Sequence, residues 1–244
     1  MKTIVTKSYD EMSKTSADFF ESEIRNNPEI VIGLATGSTP VGTYKELVRR
    51  HMEKGLDFSR VKSFNLDEYL GLSGDNPNSY RHFMNEQLFN HINIDKNNTH
   101  VPEGLTEDPK AYGEKYDQMI TESGGIRIQL LGIGSNGHIA FNEPDDELPL
   151  GTGLVELSEQ TIEDNARFFQ SIDQVPTQAI SMGMGSIMKA EKIIILASGE
   201  GKAEVISKLL NSGKVTSRIP ATFLLLHPDV TLICDEEAYS GVSR

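Results

Sequence analysis

The sequence predicts an α/β fold: a mostly parallel sheet with helices on both faces. Three features point to it. Strand-like and helix-like segments alternate along most of the 244 residues. The strand-like segments are continuous apolar runs, as expected for strands buried on both sides. Four of these runs end in clusters of glycine, hydroxyl and charged residues. In an open parallel sheet the carboxyl edge of the strands holds the ligand crevice.

The elements follow in order. Residues 29–37, "EIVIGLATG", read as a strand ending in a glycine turn. "STP" then offers a helix start, with Ser38 or Thr39 as cap and Pro40 at the first helical position. Val41, Tyr44, Leu47, Val48 and His51 recur at helical spacing. Residues 61–69, "VKSFNLDEY", alternate like a strand and end in acids, and 78–92 and 109–123 are helical in pattern. "IRIQLLGIG" (126–134) is a strand, 153–158 a short strand, and 159–171 a helix. Residues 179–190 read as a strand end turning into a helix, and 192–198 as a buried strand. Residues 201–213 form a helix closed by glycine, and 230–235 a last strand. "TGSTP", "LDEY", "GSNGH" and "SGEGK" each follow a strand, so four segments converge on one pocket if their strands are neighbours.

Composition narrows the function. The single cysteine, Cys234, excludes an internal disulfide and fits a reducing compartment. The opening "MKTIVTKSYDEMSK" is charged and broken, without the apolar stretch of a signal peptide. No window approaches the roughly 18 apolar residues of a membrane span. A cytoplasmic protein is expected, long enough to bury a core without staples. With 23 Lys and Arg against 36 Asp and Glu, the net charge is −13. Such a surface repels nucleic acid and anionic membrane. An anionic ligand would need local positive partners, from a few basic side chains and helix N-termini.

Residues 132–144 read "GIGSNGHIAFNEP". The first six match G-x-G-x-x-G after a strand, the dinucleotide-binding fingerprint. That fingerprint must open a full crossover helix, whereas Pro144 follows within seven residues and bars a helix interior. The alternative is a glycine turn that brings Asn136, His138 and Glu143 to the strand edge. Histidine carries protons near neutral pH, and a neighbouring carboxylate orients it. A structural histidine in a tight loop fits the pattern equally well. No HExxH pair or cysteine cluster suggests a metal. "LATGSTP" (34–40) lacks the Walker lysine, yet a glycine turn with two hydroxyls at a helix start suits an anion, or a plain helix cap. Lys202 in "SGEGK" fits either an anion partner or a solvated surface lysine. Asp67 and Glu68 fit either a catalytic or a capping role.

Taken together, "TGSTP", "FNLDEY", "GIGSNGHIAFNEP", "NARFF" and "LLLHPDVTLICDE" resemble the glucosamine-6-phosphate deaminase family, in order from about residue 30 to 237. The resemblance implies a modified Rossmann-like fold, with residues 1–244 as one domain and a lid at 144–170. It implies conversion of glucosamine 6-phosphate and water to fructose 6-phosphate and ammonia, with no cofactor and no metal. Asp67 matches the base that moves a proton from C2 to C1. His138 matches the base for ring opening, and Glu143 its orienting carboxylate. Many members have Asp at position 136; Asn136 can hold the histidine by hydrogen bonding but not by charge. Gly37, Ser38 and Thr39 match the phosphate loop, and Arg167 and Lys202 the basic groups that hold phosphate and sugar. The only implied partner is a small sugar phosphate. Relatives with this fold leave two other enzyme readings, galactosamine 6-phosphate isomerisation and gluconolactone hydrolysis. A sugar-phosphate sensor is a third, but no basic segment for DNA is present. Regulated oligomeric members carry a basic R-x-K-T cluster before "RFF"; here residues 145–166 contain no Lys or Arg. A non-allosteric monomer or small homo-oligomer is therefore expected.

Overall fold

The protein is described by a computed structural model over residues 1–242. Its strands are β1 (Lys2–Thr6), β2 (Val31–Leu34), β3 (Lys62–Asn65), β4 (Asp67–Tyr69), β5 (Thr99–His100), β6 (Ile128–Gly132), β7 (Gly153–Glu156), β8 (Gln178–Ser181), β9 (Lys192–Ala197) and β10 (Val230–Asp235). Its α-helices are α1 (Tyr9–Asn26), α2 (Val41–Lys54), α3 (Tyr80–Met84), α4 (Pro109–Glu122), α5 (Glu159–Ala166), α6 (Met184–Ile187), α7 (Ala203–Asn211) and α8 (Glu236–Tyr239).

Seven strands form a parallel sheet in the order β1-β10-β9-β6-β2-β3-β5. Alternate side chains supply two cores, one per face. Along β9, Ile193 and Ile195 point to one core and Ile194 and Leu196 to the other. Both faces are therefore apolar, which is why the strands read as unbroken apolar runs. Phe20 and Ile24 of α1 and Tyr44 and Leu47 of α2 cover one face. Tyr116 of α4 and Val205, Ile206 and Leu209 of α7 cover the other. The chain leaves β2 towards β3 on one side, while β6 pairs on the other. Loops diverge at that switch point and leave a crevice.

The expected mostly parallel sheet is present, with four differences. The strand read over 61–69 divides. β3 stays in the parallel sheet, but after Leu66 the chain turns into β4 and pairs antiparallel with β8. With β7 this forms a second, three-stranded sheet. The first 28 residues, whose sequence pattern indicates no element, form β1 on the sheet edge and the long helix α1. Ser8 and Glu11 close its first turn as a capping box: Ser8 Oγ accepts from Glu11 N, and Glu11 Oε2 from Lys7 N at 2.8 Å. Neither Ser38 nor Thr39 caps α2. Pro40 takes the N-cap position, with no side-chain cap. The helix read over 159–171 ends at Ala166.

Candidate active site

A cleft of about 530 Å³ lies at the carboxyl edge of the parallel sheet. Loops after β2, β3, β6 and β9 meet there, so the four polar segments do converge. The cleft is lined by Gly37, Ser38, Thr39, Asp67, His138, Arg167 and Lys202 among others. Asn136 and Glu143 stand behind His138, outside the lining. Gly37 has φ 94°, the left-handed region that a side chain disfavours. Among the described residues, no hydrogen bond engages the side-chain hydroxyl of Ser38 or Thr39. Arg167 is exposed at the rim, its guanidinium 4.7 Å from the Phe168 ring centroid.

Asp67 and Glu68 face opposite ways, as neighbours on a strand must. Asp67 points into the cleft but is only 6% exposed, and no hydrogen bond reaches its carboxylate among the described residues. Burial, assisted by the nearby Glu68 charge, pushes its pKa up to about 8. Glu68 is buried on the other side and ties α3 down. It accepts from the backbone N–H groups of Tyr69, Tyr80 and Arg81, each at 2.9 Å. Burial raises Glu68 to about 7, and those three amides limit the rise. One acid of the pair is thus a cap, and the other a weakly solvated carboxylate at the cleft wall.

The histidine cluster is built on glycines and a tight turn. A Cβ on Gly134 would lie 2.4–2.5 Å from the His138 ring, so the imidazole rests against bare backbone. Gly137 has φ 89° and packs on Ile219. After it, Ile139 and Asn142 bridge across a turn in which Ala140 takes φ 52°, uncommon for a residue with a side chain. No crossover helix follows, and Gly134 makes room for the imidazole. His138 Nδ1 lies 3.4 Å from Glu143 Oε2, a contact longer than an aligned hydrogen bond. Asn136 Nδ2 donates to the same oxygen at 2.8 Å, and Asn136 Oδ1 accepts from His138 N at 3.0 Å. The Thr161 hydroxyl of α5 donates to Glu143 Oε1. Burial would raise the Glu143 pKa, but the facing imidazole and the Thr161 and Asn136 donors outweigh it and hold it down at about 2. Glu143 is therefore a fixed negative charge beside an imidazole. An amide at position 136 fits this arrangement, since a second carboxylate there would repel Glu143.

Several lining residues escaped sequence reasoning: Tyr80, Phe141, Thr161, Asn165 and Phe168. Tyr69, Tyr80, Phe141 and Phe169 form one aromatic cluster beneath the Asp67 wall. Thr161 sits in the first turn of α5, where Ser158 Oγ accepts from its N–H at 3.1 Å. The S-x-x-T spacing marks the helix start, but only the fold brings Thr161 to Glu143. Among the described residues, no group of three or more His, Cys, Asp or Glu is arranged to hold a metal.

Residues 6–233 match the profile of the glucosamine-6-phosphate isomerases/6-phosphogluconolactonase family. A glucosamine-6-phosphate deaminase of Clostridium perfringens is 62% identical over 238 residues, 98% of each chain. The solved structure of a monomeric glucosamine-6-phosphate deaminase is 44% identical, with a TM-score of 0.96 over 99% of this chain and 100% of that one. A 6-phosphogluconolactonase from Trypanosoma cruzi shares the fold at 21% identity, with a TM-score of 0.78 over 100% and 97% of the two chains.

Two stability measurements test this geometry. A buried carboxylate whose folded pKa lies above its unfolded value stabilises the fold while protonated and costs stability as pH rises towards about 8. Asp67→Asn should therefore raise Tm more at pH 8 than at pH 4, by about 2–4 °C for each kcal/mol recovered. An equal shift at both pH values would mean that Asp67 is not desolvated. Gly134→Ala should cost roughly 1–3 kcal/mol in urea denaturation, because the imidazole must move. Gly132→Ala, whose Cβ meets nothing within 4 Å, should cost clearly less. Equal costs would contradict the packing described.

Proposed function

The chain belongs to the glucosamine-6-phosphate isomerase/6-phosphogluconolactonase family, and we infer that it converts glucosamine 6-phosphate and water to fructose 6-phosphate and ammonia. The observation that carries this reading is the pairing, in one cleft, of a buried unpartnered carboxylate with a separately oriented histidine. Moving a proton between adjacent carbons requires one base on one face of an enediol-like intermediate. Opening a sugar ring requires a second acid–base group. Hydrolysis of a lactone requires no carbon base, and would leave Asp67 without a use.

The steps follow from the chemistry. His138 takes the C1 hydroxyl proton and returns it to the ring oxygen as the bond between C1 and the ring oxygen breaks, leaving the open aldose. Glu143, fixed by Thr161 and Asn136, faces Nδ1 at 3.4 Å and favours the tautomer that carries its proton there, which leaves Nε2 to exchange protons with the sugar. Asp67 takes the C2 proton from the open aldose and returns it to C1, while one proton passes from the C2 ammonium to O1, so that C1 becomes an alcohol and C2 an iminium. Water adds at C2, and ammonia leaves. Ser38 and Thr39, with the glycine turn at Gly37 and the charges of Lys202 and Arg167, hold the C6 phosphate, so that binding at one end positions C1 and C2 at the other. Residues 144–170, which carry Thr161 and Arg167 to the cleft rim, serve as a lid. An uncompensated carboxylate with a pKa of about 8 suits the site, because the substrate ammonium at C2 favours its charged form on binding.

The assembly is read as a monomer, supported by the monomeric relative at 44% identity. The location is read as cytoplasmic, which a single buried cysteine fits.

The carbon-base role is checked by hydrogen exchange between solvent and C1 of fructose 6-phosphate, a sugar with no amine of its own. Wild-type exchange should rise with pH, because the base must be ionised, and level off above about pH 8. Asp67→Asn should lose about 10²–10⁴-fold. Near-normal exchange in that variant would remove Asp67 from the role.

Regulation gives a second test. A basic phosphate site between subunits is not available from residues 145–166, where exposed Glu156 and Glu159 add negative charge. An effector must distinguish two states to shift them. Saturation with glucosamine 6-phosphate should be hyperbolic, and N-acetylglucosamine 6-phosphate should not activate. A sigmoidal curve abolished by that compound would contradict the expectation.

A further inference from the structure

Helix α2 begins at the anion loop with no side-chain cap of its own, although Ser38 and Thr39 directly precede it. Such residues ordinarily turn back to bond the first free amides of a helix. Here that work is done from outside. The Gly42 N–H donates to Tyr9 Oη at 2.7 Å, and the Tyr9 hydroxyl reaches the carbonyls of Ser38 and Thr39 at 3.2 and 3.1 Å. Tyr9 is the first residue of α1, fixed there by the Ser8–Glu11 capping box.

Two further observations show a built contact. A Cβ on Gly42 would lie 2.9 Å from Tyr9 Cε1 and 2.2 Å from Ser13 Oγ, so the approach of α2 to α1 at this point requires glycine. Tyr9 does not line the cleft, whereas Ser38 and Thr39 do. The two carbonyls are therefore engaged on the side away from the ligand, where their negative ends cannot oppose an anion. The two hydroxyls remain uncommitted.

We propose that Tyr9 is a positioning residue for phosphate binding: its phenol caps α2 in place of Ser38 and Thr39, and so keeps their hydroxyls available to the anion. Without the phenol, Gly42 N–H loses its partner, and the hydroxyls of Ser38 and Thr39 become available as replacement caps. Capping and ligand binding then compete for the same groups. The inference rests on the reading that residues 37–39 hold the phosphate.

The test compares Tyr9→Phe with a Ser38→Ala/Thr39→Ala variant, using inorganic phosphate as competitive inhibitor against glucosamine 6-phosphate. Tyr9→Phe should raise both KM and the inhibition constant of phosphate by about 10-fold. It should leave the midpoint of the pH–rate profile in place and lower kcat much less than it raises KM. Unchanged constants would overturn the proposal. So would a fall in kcat and Tm with phosphate inhibition unaltered, the pattern of a merely structural contact. The double alanine variant separates the two levels. If it weakens phosphate inhibition while Tyr9→Phe does not, only the role of Tyr9 fails. If it leaves inhibition unchanged, the loop does not hold phosphate, and both readings fall.

Discussion

The site depends on one constraint: a carboxylate must be kept out of water at the edge of the sheet with nothing to bond it. Asp67 meets this constraint because the chain changes sheets at Leu66. Leu66 N donates to Leu34 O at 3.2 Å on the parallel side, and Met182 N donates to Leu66 O at 2.8 Å on the other. Asp67 then pairs with Ser181 in the antiparallel sheet and turns its side chain into the cleft. An isolated buried charge is costly, and a group so placed shifts its pKa instead. The adjoining residue helps to hold the segment. Glu68 binds three backbone amides and locks α3 against the strand. The small second sheet, the capping acid and the aromatic cluster together keep one unsatisfied carboxylate in position.

The two carboxylates of the proposed mechanism are driven in opposite directions by their surroundings. Asp67 is raised to about 8 by burial without donors. Glu143 is held at about 2 by the imidazole, a hydroxyl and an amide. A base that must pick up and release a proton on carbon needs the first environment. A group that must orient and stabilise an imidazole needs the second, since it should never itself be protonated. Separation of acid and base roles by environment is a general device of enzymes that run both kinds of step at one pH.

How much of this was legible in the sequence depended on whether the signal was local. The parallel sheet was legible because β2, β6, β9 and β10 are dominated by apolar residues. The cleft was legible because its polar clusters each follow such a run. Pro144 ruled out a dinucleotide helix without any structure. The antiparallel sheet was not legible: β4, β7 and β8 are three or four residues each, and β4 pairs with a strand more than 100 residues away in sequence. Helix α1 was hidden because its buried face includes Ser13, Ser16 and Ala17 beside Met12, Phe20 and Ile24, a stripe too polar to stand out. The capping box Ser8–Glu11 was the missed signal. The proximity of Thr161 to Glu143 and of Tyr9 to Gly42 arises from packing alone.

The central claim, that desolvation makes Asp67 a base, can be measured without any substrate. The carbon-13 shift of the Asp67 side-chain carboxyl, assigned by its loss in Asp67→Asn, should be followed by NMR against pH in the free protein. A midpoint near 8 is expected, far above the ordinary 3.8 of an aspartate. A midpoint close to 4 would show a solvated carboxylate, and would contradict the account at its root.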